Sequence, residues 1–142
     1  MTRDSFLQLA VSQRAERVNV VSQESIAQFA SVSGDNNPLH TDSSFAEQTM
    51  FKGIIAHGFL TASFISAVIG NDLPGAGCVY LSQQLRFKAP VRAGDSVRTE
   101  VTITAIDAER RRVTLACVCS VGKRVVLEGD ALIYVPPLKP SS

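Results

Sequence analysis

The sequence predicts an α+β fold in which one long apolar helix is wrapped by a curved antiparallel sheet. Three observations carry that prediction. Residues 58–70 (GFLTASFISAVIG) are apolar nearly all round, broken only by the small hydroxyls of Thr61, Ser63 and Ser66. A helix with no polar face is one that becomes surrounded. From residue 79 onward the hydrophobic period changes to two and gives four half-buried strands in succession. Ahead of both lies one shorter alternating segment, so the order is strand, helix, then a long antiparallel run.

Residues 14–21 alternate well enough for the first strand, with Val18 and Val20 on one face. Ser22 is placed to cap a short helix through Ile26 and Phe29, with Glu24 in the first turn, where a carboxylate meets the positive end of the dipole. Residues 41–56 are small and polar, with Phe45, Met50 and Phe51 as anchors, and read as an ordered overhang. At the usual rise the 58–70 helix is about 20 Å long, suited to lying inside one sheet. Leu73, Pro74 and Gly75 end it. The strand at 79–87 sets Val79, Leu81, Gln83, Leu85 and Phe87 against Tyr80, Ser82, Gln84 and Arg86. The strand at 97–106 sets Val97, Thr99, Val101, Ile103 and Ala105 against Arg98, Glu100, Thr102 and Thr104. Residues 113–121 and 125–135 behave alike, and 107–112 and 122–123 are the hairpin connections. The Pro-rich end at 136–142 reads as a flexible tail.

At 142 residues the chain is expected to form a single domain over 1–142, with one sizeable core. A net charge of +1 supplies neither a basic field for nucleic acid nor an acidic one for basic partners, so the expected partner is small. Cys78, Cys117 and Cys119 are odd in number, and the last two share one face of a strand, so they read as reduced core thiols. With His40 and His57 as the only histidines, no metal site is expected. No apolar run reaches the roughly 18–20 residues of a membrane span, and the first dozen residues lack the apolar core of a secretory signal. The expectation is a cytoplasmic chain, with a mitochondrial address left open.

The chemistry gathers in residues 29–46 (FASVSGDNNPLHTDSSFA). Gly34, Asp35, Asn36, Asn37 and Pro38 all end helices or make turns, and Pro38 biases Asn37 out of the α region. The stretch is a bend. Asp35 and His40 stand five apart across it, so a carboxylate and an imidazole can converge on one water as acid and base, with Asn37 between them as an orienter. Taken singly, each is also an ordinary turn residue.

Taken together, Phe29, Val32, Ser33, Gly34, Asp35, Asn37, Pro38, Leu39, His40 and Ala46 resemble the signature of the (R)-specific enoyl-CoA hydratases, or hydratase 2, in the MaoC-like dehydratase family. The resemblance runs from about Val18 to Val135. It implies a hot-dog fold, in agreement with the element order. It also implies syn addition of water to a trans-2-enoyl-CoA, giving an (R)-3-hydroxyacyl-CoA for polyester synthesis or lipid metabolism. Asp35 and His40 then form the acid–base pair. The backbone N–H of Gly58, at the N-terminus of the apolar helix, is the oxyanion donor, since orphan amides and the dipole point outward there. His57 reads as structural, closing that helix end. Where the family has His-Gly-Met, Phe59 replaces the Met.

Ser66 and Ile69, two and three turns beyond Gly58, are candidates to line the acyl tunnel. Arg86, Lys88 and Arg92, in and around the run FKAPVRAGD, are candidates for the phosphates of coenzyme A or of a carrier-protein pantetheine, with solvated strand-end charges as the alternative. The cluster Arg110, Arg111 and Arg112 reads as a hydrated turn. No cofactor is called for, because coenzyme A enters as part of the substrate. Three other functions share the scaffold. They are a 3-hydroxyacyl-[acyl-carrier-protein] dehydratase of fatty acid synthesis, a thioesterase and a non-catalytic acyl-CoA binder. The thioesterase is disfavoured because residues 58–70 carry no Asp or Glu. The resemblance further implies a homodimer, which would give an exposed edge strand its missing partner.

Overall fold

The computed structural model describes residues 4–138, so the tail expected at 136–142 lies largely outside the described residues. A 3₁₀ turn, Ser5–Gln8, precedes β1 (Arg14–Val20), α1 (Gln23–Ser33), α2 (Pro38–Thr41), α3 (Ser43–Glu47) and α4 (Gly58–Asn71). Strands β2 (Val79–Phe87), β3 (Ser96–Asp107), β4 (Arg112–Val121) and β5 (Arg124–Tyr134) follow. All five strands form one antiparallel sheet in the order β1-β3-β4-β5-β2. Helix α4 lies chiefly against β3, with β1 and β4 to either side.

Local sequence explains the elements that lead to the bend. In α1, Ser22 accepts from the Ser25 amide while the Ser25 hydroxyl accepts from the Ser22 amide, a reciprocal cap. Gly34, at φ +80°, ends the helix in a conformation that costs a residue without Cβ little. Two short helices then occupy what the sequence presents as a bend and overhang. Pro38 opens α2 at a position where its missing amide is harmless, and Asp42 caps α3. The overhang's anchor is the fully buried Ala46, whereas Phe45 and Met50 point outward.

The core takes Leu60, Thr61, Ile65, Val68 and Ile69 from α4, with Val97, Val101, Ile103, Leu115, Leu127 and Ile133 from the sheet. Cys117 and Cys119 belong to it, and burial pushes the Cys117 thiol up to about 12. The helix is not covered on every side, however. Phe59, Ser63, Ser66 and Gly70 form an exposed stripe, because five strands curl around only part of the helix and the sheet stops at β2. Val18 and Val20 do share a face of β1, but it is the exposed one.

Three bulges shift faces that strict alternation would assign otherwise. An extra residue at Leu81 returns Tyr80 to the side of Gln83, where its hydroxyl donates to the Gln83 carboxamide. Another at Thr104 turns Ala105 outward and Ile106 inward. A third leaves Val126 and Leu127 both buried, and frees the Val126 carbonyl to accept from the amides of Lys88 (2.8 Å) and Ala89 (3.3 Å). The arginine turn also differs from expectation. Arg111 forms a bidentate pair with Asp4 at 2.8 Å and lies over the Phe6 ring, closing the start of the chain onto the β3–β4 hairpin.

β2 approaches β5 so closely that a Cβ on Gly129 would sit 1.8 Å from the Gln84 carbonyl oxygen. Gly129→Ala therefore forces the two strands apart and is expected to lower stability by about 1–3 kcal/mol. Urea unfolding reads this directly, and an unchanged midpoint would refute the close approach.

Candidate active site

The bend, α2 and the segment leading into α4 meet at three side chains. Ligating atoms of Asp35, His40 and His57 all lie within 4.8 Å of one another. Two hydrogen bonds of about 2.8 Å, meeting at the tetrahedral angle of one water, span about 4.6 Å. Asp35 and His40 therefore lie within reach of a single shared water. The bend is built by its own polar groups: the Asp35 carboxylate accepts from the Asn37 amide at 3.1 Å, and the Ser33 hydroxyl accepts from the Asp35 amide at 3.1 Å.

Backbone carbonyls decide which ring nitrogens carry hydrogen. His40 Nδ1 lies 2.8 Å from the Ile55 carbonyl oxygen. Because a carbonyl only accepts, Nδ1 is the N–H, and in the neutral ring Nε2 then carries the lone pair. His57 Nε2 donates likewise to the Asp35 carbonyl at 3.1 Å. His57 is 2 % exposed, its ring stacks on His40 with centroids 4.0 Å apart, and it meets the Phe29 ring in a tilted contact at 4.8 Å. The sequence suggested that His57 closes the helix end. It is the N-cap residue but makes no side-chain cap bond; its ring instead ties the Asp35 bend to the start of α4. Its Nδ1 is buried without a partner. One carboxylate and two imidazoles are also ligand types suited to a transition metal, and this is where the described residues could gather three such groups.

His40 and Gly58 share the wall of a cavity of about 570 Å³. Gly58 is the first helical residue of α4, and its amide donates to no acceptor among the described residues. A Cβ there would lie 2.5 Å from the Phe87 ring, so Gly58 also lets that ring pack against the helix start. Thr61, Ile55, Ala56, Val91, Val126 and Leu127 give the cavity its largely apolar lining. A second cavity of about 520 Å³ runs between α4 and β2, past Ala62, Ser66 and Leu85. Phe59 and Phe87, with ring centroids 5.8 Å apart, line both cavities and stand between them.

The remaining sequence candidates separate. Ser66 lines the second cavity, whereas Ile69 is fully buried in the core and borders neither. Lys88 lines the first cavity, but it and Arg86 each stand 3.3 Å from the Glu128 carboxylate. The Lys88 ammonium, with Arg86 second, holds the Glu128 carboxyl below its usual range. The half-buried Arg92 donates from its guanidinium to the backbone carbonyls of Phe51 and Ile54. The Asn37 carboxamide oxygen accepts from the Leu39 amide at 3.0 Å, so Asn37 caps the helix that carries His40. Sequence reasoning missed the contribution of Phe87 to the site, since strand alternation says nothing about a ring reaching across to a helix start.

The antiparallel sheet around α4, with a carboxylate and an imidazole at the helix mouth, defines a hot-dog enzyme scaffold of the hydratase and dehydratase kind. The family described as MaoC like domain matches residues 8–121, and the chain belongs to that family. It is 45 % identical over 131 residues to an (R)-specific enoyl-CoA hydratase of Rhodospirillum rubrum, covering 92 % of this chain and 91 % of the relative. It is 52 % identical over 116 residues to a 3-hydroxybutyryl-CoA dehydratase of Methylorubrum extorquens, covering 82 % and 74 %. Among solved structures, the (R)-hydratase of A. caviae involved in PHA biosynthesis superposes with a TM-score of 0.87 at 40 % identity, covering 90 % of this chain and 98 % of that one.

The cap at Asn37 can be told from a water-orienting role. Asn37→Ala should cost about 1 kcal/mol of stability, whereas Asn37→Asp, which caps equally well, should cost little. Equal losses in denaturant midpoint for the two variants would show that the carboxamide does something other than cap α2.

Proposed function

We propose that this protein is an (R)-specific 2-enoyl-CoA hydratase, acting as one hot-dog domain that adds water syn across a trans-2-enoyl thioester to give the (R)-3-hydroxyacyl thioester. The observation that carries the reading is the water-bridging separation of Asp35 and His40, with His40 and Gly58 on one cavity wall. Both His40 Nε2 and the Asp35 carboxylate are acceptors, so a water between them donates one hydrogen to each and turns a lone pair toward the β-carbon. As its oxygen bonds to that carbon, the pair takes one of its protons and electrons move into the thioester carbonyl. The proton is then returned to the α-carbon on the same face. Water is added whole, and the pair ends as it began.

The Gly58 amide is suited to receive the carbonyl oxygen as it becomes enolate-like, in line with the positive end of α4. One such donor is worth about 2.7–4 kcal/mol. The thioester already makes the β-carbon electrophilic, so the reaction calls on no metal or redox group, and coenzyme A enters only with the substrate. The apolar cavity suits the acyl chain, with the Phe59–Phe87 pair between it and the second cavity and Lys88 on its wall.

The reverse reaction on carrier-protein thioesters uses the same geometry. It is favoured by a relative of Arabidopsis thaliana described as a mitochondrial 3-hydroxyacyl-[acyl-carrier-protein] dehydratase, 33 % identical over 92 % of this chain and 80 % of that one. Comparing kcat/KM for CoA and carrier-protein thioesters separates the two. No helix among the described residues is long and apolar enough to cross a membrane. We place the protein in the cytoplasm, where its three free thiols stay reduced, with mitochondria as the alternative.

We also read the active form as a homodimer. β2 is an unpaired edge strand carrying Val79, Leu81 and Phe87, all more than 40 % exposed, beside the open stripe of α4. A second copy pairing along this edge would satisfy its free amides and carbonyls and cover both features.

Purified protein should bleach the enoyl absorbance of crotonyl-CoA, and Asp35→Asn or His40→Ala should each lose at least about a hundredfold in kcat. Full rates in both variants would end the hydratase reading. Sedimentation should give twice the 15.2 kDa of one chain; a 15.2 kDa species across micromolar concentrations would contradict the dimer.

A further inference from the structure

Residues 54–57, which carry the Ile55 carbonyl from the overhang to α4, belong to no helix or strand. Since no ladder holds them, their position depends on individual bonds. The Ile55 amide donates to Leu39 at a long 3.4 Å, and the Ala56 amide donates to the Val91 carbonyl. The side chain that grips the segment is Arg92, whose two terminal nitrogens donate to the carbonyls of Phe51 and Ile54. Arg92 is itself held, because its amide donates to the Asp95 carboxylate at 2.9 Å and the Asp95 amide donates back to its carbonyl at 3.0 Å. Gly53 leaves room for this arrangement: a Cβ there would stand 3.2 Å from the guanidinium.

We propose that Arg92 is a positioning residue for His40. Its planar fork clamps two carbonyls of the 51–54 turn, and so presents the next carbonyl, that of Ile55, to His40 Nδ1. That one bond selects the ring tautomer and leaves Nε2 free toward the cavity. A lysine, with a compact ammonium, holds one carbonyl but not two in a fixed plane. Arg92 thus acts on the imidazole through the main chain and touches no substrate.

The kinetic side of this inference rests on the hydratase reading, but its primary readout does not. Nitrogen-15 NMR of the free protein reports the His40 tautomer directly. Wild type should show hydrogen on Nδ1, and Arg92→Ala a mixture of Nδ1–H and Nε2–H forms. Arg92→Lys should fall between them. Gly53→Ala, which displaces the guanidinium without removing it, should shift the same signal if Arg92→Ala does not fold. In turnover, Arg92→Ala should lower kcat about tenfold to a hundredfold with KM nearly unchanged, for crotonyl-CoA and crotonyl-pantetheine alike. A pure Nδ1–H tautomer in both Arg92→Ala and Gly53→Ala would overturn the proposal. So would a rise in KM confined to the CoA thioester, which is the signature of a phosphate contact. If wild type turns over no enoyl thioester while Arg92→Ala still mixes the tautomers, the hydratase reading fails and the positioning role stands.

Discussion

A 14-residue helix with almost no polar surface has to be covered, and the cover available is one five-stranded sheet. Burying Ile65, Val68 and Ile69 against β3 and its neighbours orients α4, and with it the direction in which its first amides point. Each such side chain contributes about 1.5–3 kcal/mol on burial, so the helix axis is held by the core and not by its caps. That explains why the N-cap can be His57, which makes no side-chain cap bond. Freed from capping, its ring tethers the Asp35 carbonyl and supports the His40 ring by stacking.

The site is consequently wired through main-chain carbonyls. Ile55 orients His40, Asp35 orients His57 through its own carbonyl while offering its carboxylate to solvent, and Phe51 and Ile54 receive Arg92. Carbonyls are acceptors at every pH, so each ring nitrogen facing one must carry hydrogen. Irregular backbone with its own polar groups satisfied supplies the rigidity that a helix or strand supplies elsewhere.

Much of this was legible in the chain. Strand β2 begins and ends where alternation places it, and the Gly34–Pro38 run is the bend that its turn residues demand. Asp35 and His40 converge as their spacing suggests. The bulges at Leu81 and Thr104 were not legible, because an extra residue exists only relative to the partner strand, and each reverses the faces beyond it. The backbone contacts of Arg92 were not legible for a similar reason: a cation near a strand end looks free until the backbone it binds, some forty residues earlier, is seen beside it.

The sequence by itself determined the order of the strands, the long apolar helix ahead of the strand run and the bend in which Asp35 and His40 lie close together, since periodicity, turn preference and side-chain chemistry are properties of neighbours along the chain. Only the tertiary structure decided that α4 keeps one face open, that Phe59 and Phe87 stand between two cavities, and which nitrogen of His40 is free. Those depend on contacts between residues distant in sequence, where a shift of one position or a single carbonyl changes which atom meets which.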